Sequence, residues 1–414
     1  MSKANGTIET TENYLQHVSL KNYITIQDVE IDFKPGLNLI IGKNGSGKTN
    51  FLNYLYLFLD INWDEVVSFL DAEFTLIKNG DIYHVKAKSE FEESTANLGK
   101  DQFKSTRKIN AELFINDSRR LIMNEDEYSL VYPKYLGFYV NQANYFIKLL
   151  KHGIPDKQGI VELPINFSVY SDNIILDLKE NTFFLKSLLI KLEHEFGRNK
   201  VLSEVAVRNK IDGLTHYFFR EINEGLKAYT DIGGVRISPN FNLYPSNGKD
   251  PQKVDVYNFF LEFFINENWL PYNALSDGSK RLFYIFSEIL CHNKFEIIIP
   301  PELSAEYGDL KSPTNIILLE EPELGIHPHQ LHLLMQFIKE QSRYKQIIIT
   351  THSPQVLDTI GSGELDRIII CEYDGKKGTQ LRHLTEKETN KAKNYMEDAF
   401  LSDYWRFSDL EPVS

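Results

Sequence analysis

The sequence is poor in cysteine, with two in 414 residues. Cys291 and Cys371 lie far apart in apolar surroundings, so they predict neither a disulfide framework nor a cysteine-based metal cluster. A reducing compartment is the default for such a chain. The sequence also lacks an apolar run of the ~20 residues that span a bilayer, and Met1 to Asn13 is too polar for a signal peptide. We therefore expect a cytoplasmic protein with no membrane partner.

The sequence also has fewer basic than acidic residues. The chain has 45 Lys and Arg against 58 Asp and Glu, which gives a formal net charge of −13. A strongly acidic chain is a poor candidate for a dedicated nucleic-acid binder, because phosphate contacts need local positive charge. A local basic patch can still exist on an acidic protein, so composition leaves DNA binding open. The hydrophobic content of 42% is that of an ordinary globular protein, with room for one large α/β domain or several smaller ones.

The clearest motif runs from Gly42 to Thr49 and satisfies G-x-x-x-x-G-K-[ST]. It follows an apolar run, Leu37 to Ile41, that predicts a buried strand, and it precedes apolar residues at helical spacing. A strand, a glycine-rich turn and a helix together form a cradle whose backbone N–H groups point at one anion. The candidate nucleotide-binding residues are Gly42, Asn44, Gly45, Ser46, Gly47, Lys48 and Thr49.

Within this motif two side chains carry specific chemistry. Lys48 can reach the β- and γ-phosphates of a nucleotide, and the Thr49 hydroxyl can bind Mg²⁺. The alternative is a flexible Gly/Ser loop with a chance lysine, and the flanking strand and helix patterns argue against it. The sequence therefore predicts a nucleoside triphosphate site.

The surrounding pattern predicts a mixed α/β fold. Strands are expected before the motif, and Phe74 to Ala87 and Ala111 to Tyr132 resemble β-hairpins beside a parallel sheet. From Asn181 to Lys227 the spacing becomes helical, which predicts a short helical insertion. Its basic side chains could contact DNA or a partner, or could simply form a solvated helix face. These side chains are Arg198, Lys200, Arg208 and Lys210.

A second polar stretch, Leu275 to Arg281, precedes an apolar helical pattern. Ser276 stands at the expected N-cap position of that helix, and Gly278 follows it. Taken alone, this is a common way to begin a helix. In the company of a phosphate-binding motif it can form a second anion site that receives a γ-phosphate.

Two further strands are predicted to end in polar side chains. The strand Ile316 to Leu319 is followed by Glu320 and Glu321, and two adjacent carboxylates there would be costly to bury without a cation. One can hold Mg²⁺, and the next can polarise a water in line with the γ-phosphate. A strand from Gln346 ends near His352, which could contact the γ-phosphate or the attacking water. A lone histidine after a strand is more often structural.

Together, the four motifs resemble the ABC-type ATPases of the SMC/RecF group, and more closely the OLD-like anti-phage ATPases, which include the PARIS and Septu types. The resemblance implies an α/β P-loop ATPase of RecF/SMC-like fold, with a mixed parallel core sheet, an antiparallel β subdomain and a short helical insertion. The matching segments are Gly42 to Thr49 for Walker A, Leu275 to Arg281 for the signature motif, Ile316 to Glu321 for Walker B, Glu323 to Pro328 for the D-loop, and His352 for the switch histidine.

The resemblance further implies a homodimer, or a higher homo-oligomer, with ATP and Mg²⁺ at the interface. One chain would contribute Lys48, Thr49, Glu320, Glu321 and His352, and the other Ser276 and Gly278. Glu321 would be the general base and Lys48 and His352 would assist it. Glu320 stands where most ABC ATPases have Asp, but the Glu-Glu-Pro-Glu form is frequent in OLD-like proteins.

Two assignments within the resemblance depend on position alone. Gln142, after a predicted strand from Tyr135 to Val140, is the candidate Q-loop glutamine that binds Mg²⁺. Lys21 and Asn22 fall where the group brings an N-terminal segment near the nucleotide base, and a plain turn at a strand edge explains them equally well.

We expect five segments along the chain. They are a flexible N-terminus at 1–13, an ATPase lobe with Walker A and a β-hairpin subdomain at 14–180, a helical and loop insertion at 181–253, a second ATPase lobe at 254–375, and a helical tail at 376–414. OLD nucleases carry a Toprim nuclease domain after the ATPase, and the stretch after His352 is shorter than a typical domain. We therefore expect no nuclease of that kind here, and effector chemistry in a separate chain.

Three functions remain to be distinguished. The first is a sensor or regulatory ATPase of a prokaryotic anti-phage defence system that controls a separate nuclease or toxin. The second is a RecF-like repair protein, which would bind DNA in an ATP-dependent way by itself. The third is an ABC cassette that serves a membrane transporter, and the hairpin-rich insertion and the Glu-Glu-Pro-Glu form argue against it.

Overall fold

The computed structural model describes residues 13–59, 71–78, 80–94, 104–123, 145–150, 165–170, 174–175, 203–245, 253–291 and 314–407. The chain divides into two compact units. The first comprises Met1–His152, Ile299–Glu323 and Ile338–Ser414, and the second comprises Gly153–Ile298 and Leu324–Phe337. Each unit joins stretches that are distant in sequence, whereas the five predicted segments are consecutive. The unit boundaries therefore do not test the predicted segments, which stay a prediction.

Strands and helices are numbered along the described residues. The strands are β1 Tyr14–Tyr23, β2 Ile26–Asp32, β3 Leu37–Ile41, β4 Asp71–Lys78, β5 Asp81–Ser94, β6 Lys104–Ile115, β7 Ser118–Met123, β8 Tyr145–Leu150, β9 Ile165–Tyr170, β10 Ile174–Ile175, β11 Gly234–Ile237, β12 Asn242–Pro245, β13 Lys253–Phe259, β14 Leu261–Ile265, β15 Asn268–Pro271, β16 Thr314–Glu320, β17 Gln346–Thr351, β18 Ile368–Asp374 and β19 Gly378–His383. The helices are α1 Lys48–Leu59, α2 Glu204–Tyr229, α3 Asp277–Cys291, α4 Pro328–Gln341, α5 Glu386–Tyr395 and α6 Leu401–Phe407.

The first unit is built on a twelve-stranded sheet with the order β7-β6-β5-β4-β1-β2-β19-β18-β3-β17-β16-β8. The last five strands, from β18 to β8, run parallel to one another. Strands of a parallel sheet are covered on both faces, so they consist of nearly continuous apolar residues. Leu39 to Ile41, Ile316 to Leu319 and Ile347 to Ile349 are accordingly all fully buried. The predicted mixed α/β fold is confirmed.

The other strands of this sheet are antiparallel, as the hairpin signals predicted. β4 and β5 form one hairpin, whose turn includes Gly80 at φ 85°, and β6 and β7 form another, across Asn116 and Asp117. Both of these latter residues have positive φ, which matches the right-handed twist of a tight hairpin. The second hairpin begins at Lys104, earlier than predicted, and residues 124–132 lie outside the described part of the chain.

Strand β19 joins the two halves of the sheet, which the sequence did not predict. It pairs antiparallel with β18 along its length and meets β2 at one pair, Gly378 with Ile26. Gly378 has φ 72°, and a Cβ there would lie 2.1 Å from the Thr25 carbonyl oxygen. Only glycine therefore allows the two backbones to approach this closely.

Helix α1 is held firmly against the sheet. Its buried residues recur every three to four positions and form one face of the helix. The Phe58 ring lies 5.2 Å from the Phe74 ring of β4 in an edge-to-face arrangement. The apolar side chains that α1 buries are Phe51, Leu52, Tyr54, Leu55, Phe58 and Leu59. Because the Gly42–Thr49 motif leads directly into α1, this packing fixes the position of the motif.

The second unit contains the helix predicted for the insertion and two small antiparallel sheets. Helix α2 is capped by the Ser203 hydroxyl and buries Ile211, Phe218 and Ile222, three of the residues that predicted its apolar face. The sheets have the orders β10-β9-β13-β12 and β11-β14-β15. Residues 181–202 of the predicted helical region, with Arg198 and Lys200, lie outside the described residues.

The basic side chain of Arg208 is used inside the second unit. Its guanidinium donates hydrogen bonds to the carbonyl oxygens of Pro239 and Phe241 and lies 4.2 Å from the centre of the Phe241 ring. Arg208 therefore ties α2 to the following loop. Among the described residues, no helix has the length and apolar character needed to cross a bilayer.

Candidate functional site

The predicted site residues of the first unit come together at one edge of the sheet. β3, β17 and β16 are adjacent parallel strands, and each is followed at its carboxyl end by one of the motifs. Open α/β sheets place ligands outside the carboxyl ends of their strands. The structure thus brings Lys48, Thr49, Glu320, Glu321 and His352 to one place.

The loop from Gly42 to Thr49 has the backbone of an anion cradle. Gly45 and Gly47 have φ of 82° and 100°, values that favour glycine. Lys48 extends back across the loop, and its Nζ donates to the carbonyl oxygens of Gly42 and Lys43 at 2.7 and 3.0 Å. The Ser46 hydroxyl is buried and has no hydrogen-bond partner among the described residues. A buried polar group without a partner is costly, so the loop suits a ligand that supplies one.

The charges around Lys48 are unbalanced. Burial lowers the pKa of Lys48, and the carboxylates of Glu321, Glu323 and Glu320 oppose this by favouring the charged amine. One lysine faces three carboxylates, so the group as a whole carries excess negative charge. A divalent cation would correct this excess, because buried charges are stable only when they are paired.

Thr49 and Glu320 meet where the resemblance places magnesium. The Thr49 hydroxyl donates to Glu320 Oε1 at 2.5 Å, and Glu320 at the end of β16 is 3% exposed. The described residues contain no group of three or more His, Cys, Asp or Glu arranged to hold a metal. A hydroxyl and one carboxylate nevertheless fit Mg²⁺, which keeps several waters and is completed by substrate phosphates. Gln142 lies outside the described residues.

Glu321 has an unusual backbone and a close neighbour. Its φ is 43°, in the left-handed region, and its N–H donates to the Thr350 carbonyl oxygen at 2.8 Å. Its Oε1 lies 3.4 Å from Nδ1 of His352. Strained backbone of this kind persists where the surrounding structure holds it, often at functional sites. The two residues predicted to act on water are therefore adjacent.

Sequence reasoning missed the contacts of Glu323, which it placed only at the start of the D-loop. Glu323 Oε1 accepts hydrogen bonds from the Thr351 hydroxyl and from the backbone N–H groups of His352 and Ser353. The same oxygen lies 3.6 Å from His352 Nδ1. The third acidic residue of Glu-Glu-Pro-Glu was the available signal, since acidic residues are rarely buried without a partner.

The loop is also supported from behind by groups that the sequence gave no reason to connect with it. The Cys371 thiol donates to the Ser46 carbonyl oxygen at 3.5 Å, and burial raises the pKa of Cys371 to about 11. The hydroxyls of Thr379 on β19 and Thr25 in the β1–β2 turn lie 2.7 Å apart, and Asn50 of α1 donates to Thr25 at 3.0 Å. These contacts join the β1–β2 turn, β18, β19 and α1 around the loop.

The tight fit at Gly42 leads to a stability prediction. A Cβ at Gly42 would lie 2.1 Å from the Cys371 carbonyl oxygen, which belongs to backbone that cannot move aside, so Gly42→Ala should destabilise the protein by about 1–3 kcal/mol or more. Gly363→Ala is the matched control, because its Cβ would meet no atom within 4 Å. Thermal unfolding without nucleotide compares them. Equal midpoints for the two variants would contradict the close approach at Gly42.

The signature residues belong to the second unit. The Ser276 hydroxyl accepts the N–H of Ser279 at 3.2 Å at the start of α3, so Ser276 is placed as the N-cap. A Cβ at Gly278 would lie 2.9 Å from the carbonyl oxygen of Gly325. The close approach of these two backbones accounts for a glycine at this position independently of any ligand.

The remaining two predicted residues lie at the end of the β1–β2 hairpin. Lys21 pairs with Asp28 on β2 at 3.6 Å, and its carbonyl oxygen accepts from the Tyr54 hydroxyl. Asn22 has φ 58°, which is typical of a turn. The structure therefore accounts for both residues as the end of β1 beside the hairpin turn, and contact with a nucleotide base stays a prediction.

Comparison with known proteins gives the family. Residues 37–358 match the family described as "AAA domain, putative AbiEii toxin, Type IV TA system". The chain is similar to Endonuclease GajA of Bacillus cereus (strain VD045), at 23% identity over 91% of this chain and 62% of that protein. It is also similar to the Retron Vc95 probable ATPase of Vibrio cholerae serotype O1 biovar El Tor, at 24% identity over 87% of this chain and 74% of that protein.

Among solved structures, a Smc head bound to the C-winged helix domain of ScpA matches with a TM-score of 0.46 and 15% identity, over 91% of this chain and 99% of that one. The family match and the two relatives confirm the assignment that the four motifs predicted. The chain belongs to the family described as "AAA domain, putative AbiEii toxin, Type IV TA system".

Proposed function

We propose that the chain binds and hydrolyses ATP with Mg²⁺ and that this activity controls a separate effector in a prokaryotic anti-phage defence system. One observation carries the proposal. The phosphate-binding loop, two carboxylates and a histidine lie together at the carboxyl ends of three adjacent parallel strands. Family membership and the name of the probable ATPase among the relatives support the activity.

In this proposal the loop binds the phosphates of ATP. The phosphates would be held by the backbone N–H groups from Gly42 to Thr49 and by the Lys48 amine. The buried Ser46 hydroxyl, which has no hydrogen-bond partner among the described residues, would donate to a phosphate oxygen. Asn44, which is exposed on the loop, would border the same phosphates. Thr49 and Glu320 would hold Mg²⁺, which when bound neutralises charge on the phosphate oxygens. The match between their donor atoms and magnesium supports this assignment.

Glu321 would act as the general base and His352 would assist it. Glu321 would take a proton from a water molecule, and its neighbour His352 would orient that water or the γ-phosphate. The 3.4 Å between Glu321 Oε1 and His352 Nδ1 supports joint action of the two side chains. The left-handed backbone at Glu321 directs its side chain differently from a regular strand end.

We further propose that two chains close over the nucleotide. Ser276 and Gly278 of one chain would complete the site formed by Lys48, Thr49 and Glu321 of the other. The exposed hydroxyl of Ser276 at the start of a 15-residue helix supports a role as a phosphate ligand. ATP binding would then control assembly, and hydrolysis would release it.

The control of a separate effector is tested in cells. Bacteria that carry this chain with its neighbouring gene are challenged with phage, and the chain alone, the neighbour alone and the Lys48→Ala pair serve as comparisons. We expect protection from phage only with both proteins and an intact Lys48. DNA cleavage by the purified chain alone would contradict a separate effector. ATP-dependent DNA binding by the chain alone, weakening with salt, would favour the RecF-like alternative.

Lys48→Ala tests nucleotide binding directly. Loss of a charged donor to phosphate should weaken ATP affinity by about 10- to 100-fold. Isothermal titration calorimetry with ATP measures this affinity. Mg²⁺ is left out so that ATP is not hydrolysed during the titration. Lys376→Ala is the control, because Lys376 is exposed on the turn between β18 and β19, and it should bind ATP as the wild type does. Unchanged affinity in Lys48→Ala would place the phosphates elsewhere.

A further inference from the structure

We propose that Glu323 is the positioning residue of the candidate site and fixes His352 beside Glu321. The proposal rests on the proposed ATPase function for the roles of His352 and Glu321. The contacts of Glu323 are independent of that function.

One oxygen of Glu323 gathers three donors from the end of β17. Oε1 accepts from the Thr351 hydroxyl at 2.5 Å and from the backbone N–H groups of His352 and Ser353 at 3.2 and 3.3 Å. Hydrogen bonds to a carboxylate are stronger than those between neutral groups. Consecutive N–H groups directed at one oxygen also fix the backbone between them. Glu323 therefore holds the three residues in one conformation.

The same carboxylate helps to orient the histidine ring. His352 Nδ1 lies 3.4 Å from Glu321 Oε1 and 3.6 Å from Glu323 Oε1. With the ring proton on Nδ1, His352 would face both carboxylates as a donor, and Nε2 would be left for a ligand. Glu323 thus acts on both the backbone and the ring of His352, and through them on the distance to Glu321.

The burial of Glu323 supports a specific role for its charge. Its side chain is 7% exposed, and its Oε2 is buried with no hydrogen-bond partner in the described part of the chain. Burying a carboxylate in this way is costly unless its charge is used. A leucine or methionine would fill similar space without that cost, so filling space does not explain a glutamate here.

The positions of β16 and β17 explain why such a residue is needed. The regular pairing of the two strands ends at Glu320 with Thr350, and one further hydrogen bond joins Glu321 to Thr350. Both Glu321 and His352 come after the last regular pair, so the sheet itself does not set the distance between them. Glu323 spans this gap, from the loop after β16 to the residues after β17.

Two truncations separate this role from the general loss of a carboxylate. Amide hydrogen–deuterium exchange of the nucleotide-free protein, followed by mass spectrometry of the peptide with His352 and Ser353, compares Glu323→Ala with Glu321→Ala. We expect the His352 amide to exchange at least about tenfold faster in Glu323→Ala, because its acceptor is gone. The Ser353 amide should change less, because it also donates to the Thr351 hydroxyl at 2.9 Å. In Glu321→Ala both amides should exchange as in the wild type, because Glu321 accepts from neither N–H group.

Kinetics supply the second measurement. Glu323→Ala should lower kcat for ATP hydrolysis by about 10- to 100-fold with little change in KM, because the residues that support reactive groups have effects of this size. Glu323→Gln keeps an acceptor oxygen of the same reach and should recover part of kcat and of the amide protection.

The outcomes are distinct. Amide exchange in Glu323→Ala at the wild-type rate overturns the proposal. This holds even if kcat falls by the predicted 10- to 100-fold, because the fall would then have another cause. A rise in KM alone also overturns it. A wild-type chain without ATPase activity would refute the proposed function instead, and the amide exchange would still decide whether Glu323 holds this segment.

Discussion

Replacing Glu321 by glutamine is expected to slow ATP hydrolysis by about 10²- to 10⁴-fold while ATP binding persists. Glutamine has the same size and cannot accept the proton that a general base takes from water. Lys48 and the loop around it keep their contacts, because Lys48 Nζ donates to Gly42 and Lys43. ATP-bound dimer should therefore accumulate, and single-turnover kinetics and light scattering with ATP measure the two effects.

A control and a contrary result complete this experiment. Glu386→Gln changes an exposed glutamate in the first turn of α5, and it should hydrolyse ATP at the wild-type rate. If Glu321→Gln also retained that rate, another group would be the base. Loss of both binding and turnover would instead indicate that Glu321 helps to hold the magnesium ion, because Glu320 is its direct neighbour.

Ser276→Arg is expected to abolish turnover while sparing ATP binding to the free monomer. The long cationic side chain would occupy the place where one chain is proposed to contact the phosphate bound by the other. Loss of the N-cap also costs about 1 kcal/mol, so thermal unfolding is measured alongside. ATPase assays across a range of protein concentrations show whether activity depends on pairing.

Mixing variants tests whether the two halves of a site come from different chains. Ser276→Arg and Lys48→Ala should each be inactive alone. Their mixed dimer has one site with intact Lys48 and intact Ser276, so activity should return on mixing. An absence of recovery, or full activity in the wild-type monomer at high dilution, would contradict a shared site.

The sequence predicted the parts of the site that depend on local pattern. The strands before Gly42 and Glu320 are almost entirely apolar, with Asn38 the polar residue of the first, and such runs are typical of buried parallel strands. Glycines at positive φ mark the cradle, and Lys48 stands at a fixed spacing after them. Each of these signals lies within one short chain segment, so it can be recognised without knowing which distant segments pair.

The contacts that the sequence did not predict depend on the pairing of distant segments. Glu323 meets the end of β17 only because β16 and β17 are neighbours in a particular register. Thr379 lies behind Gly47 because β19 returns beside β18, and nothing in the composition of β19 indicates this. The limits of the compact units were likewise beyond local pattern, since each unit combines separate parts of the chain.

The thiol beneath the phosphate-binding loop has a consequence for redox chemistry. Peroxide and disulfides react with thiolates, and Cys371, 1% exposed with a pKa of about 11, stays protonated at physiological pH. Oxidation to a sulfenic acid is correspondingly slow at this position, although the sulfur contacts the backbone of Ser46. Oxidation of Cys371 is therefore not expected to disturb the Gly42–Thr49 loop, in contrast to loops that contact an accessible cysteine of low pKa.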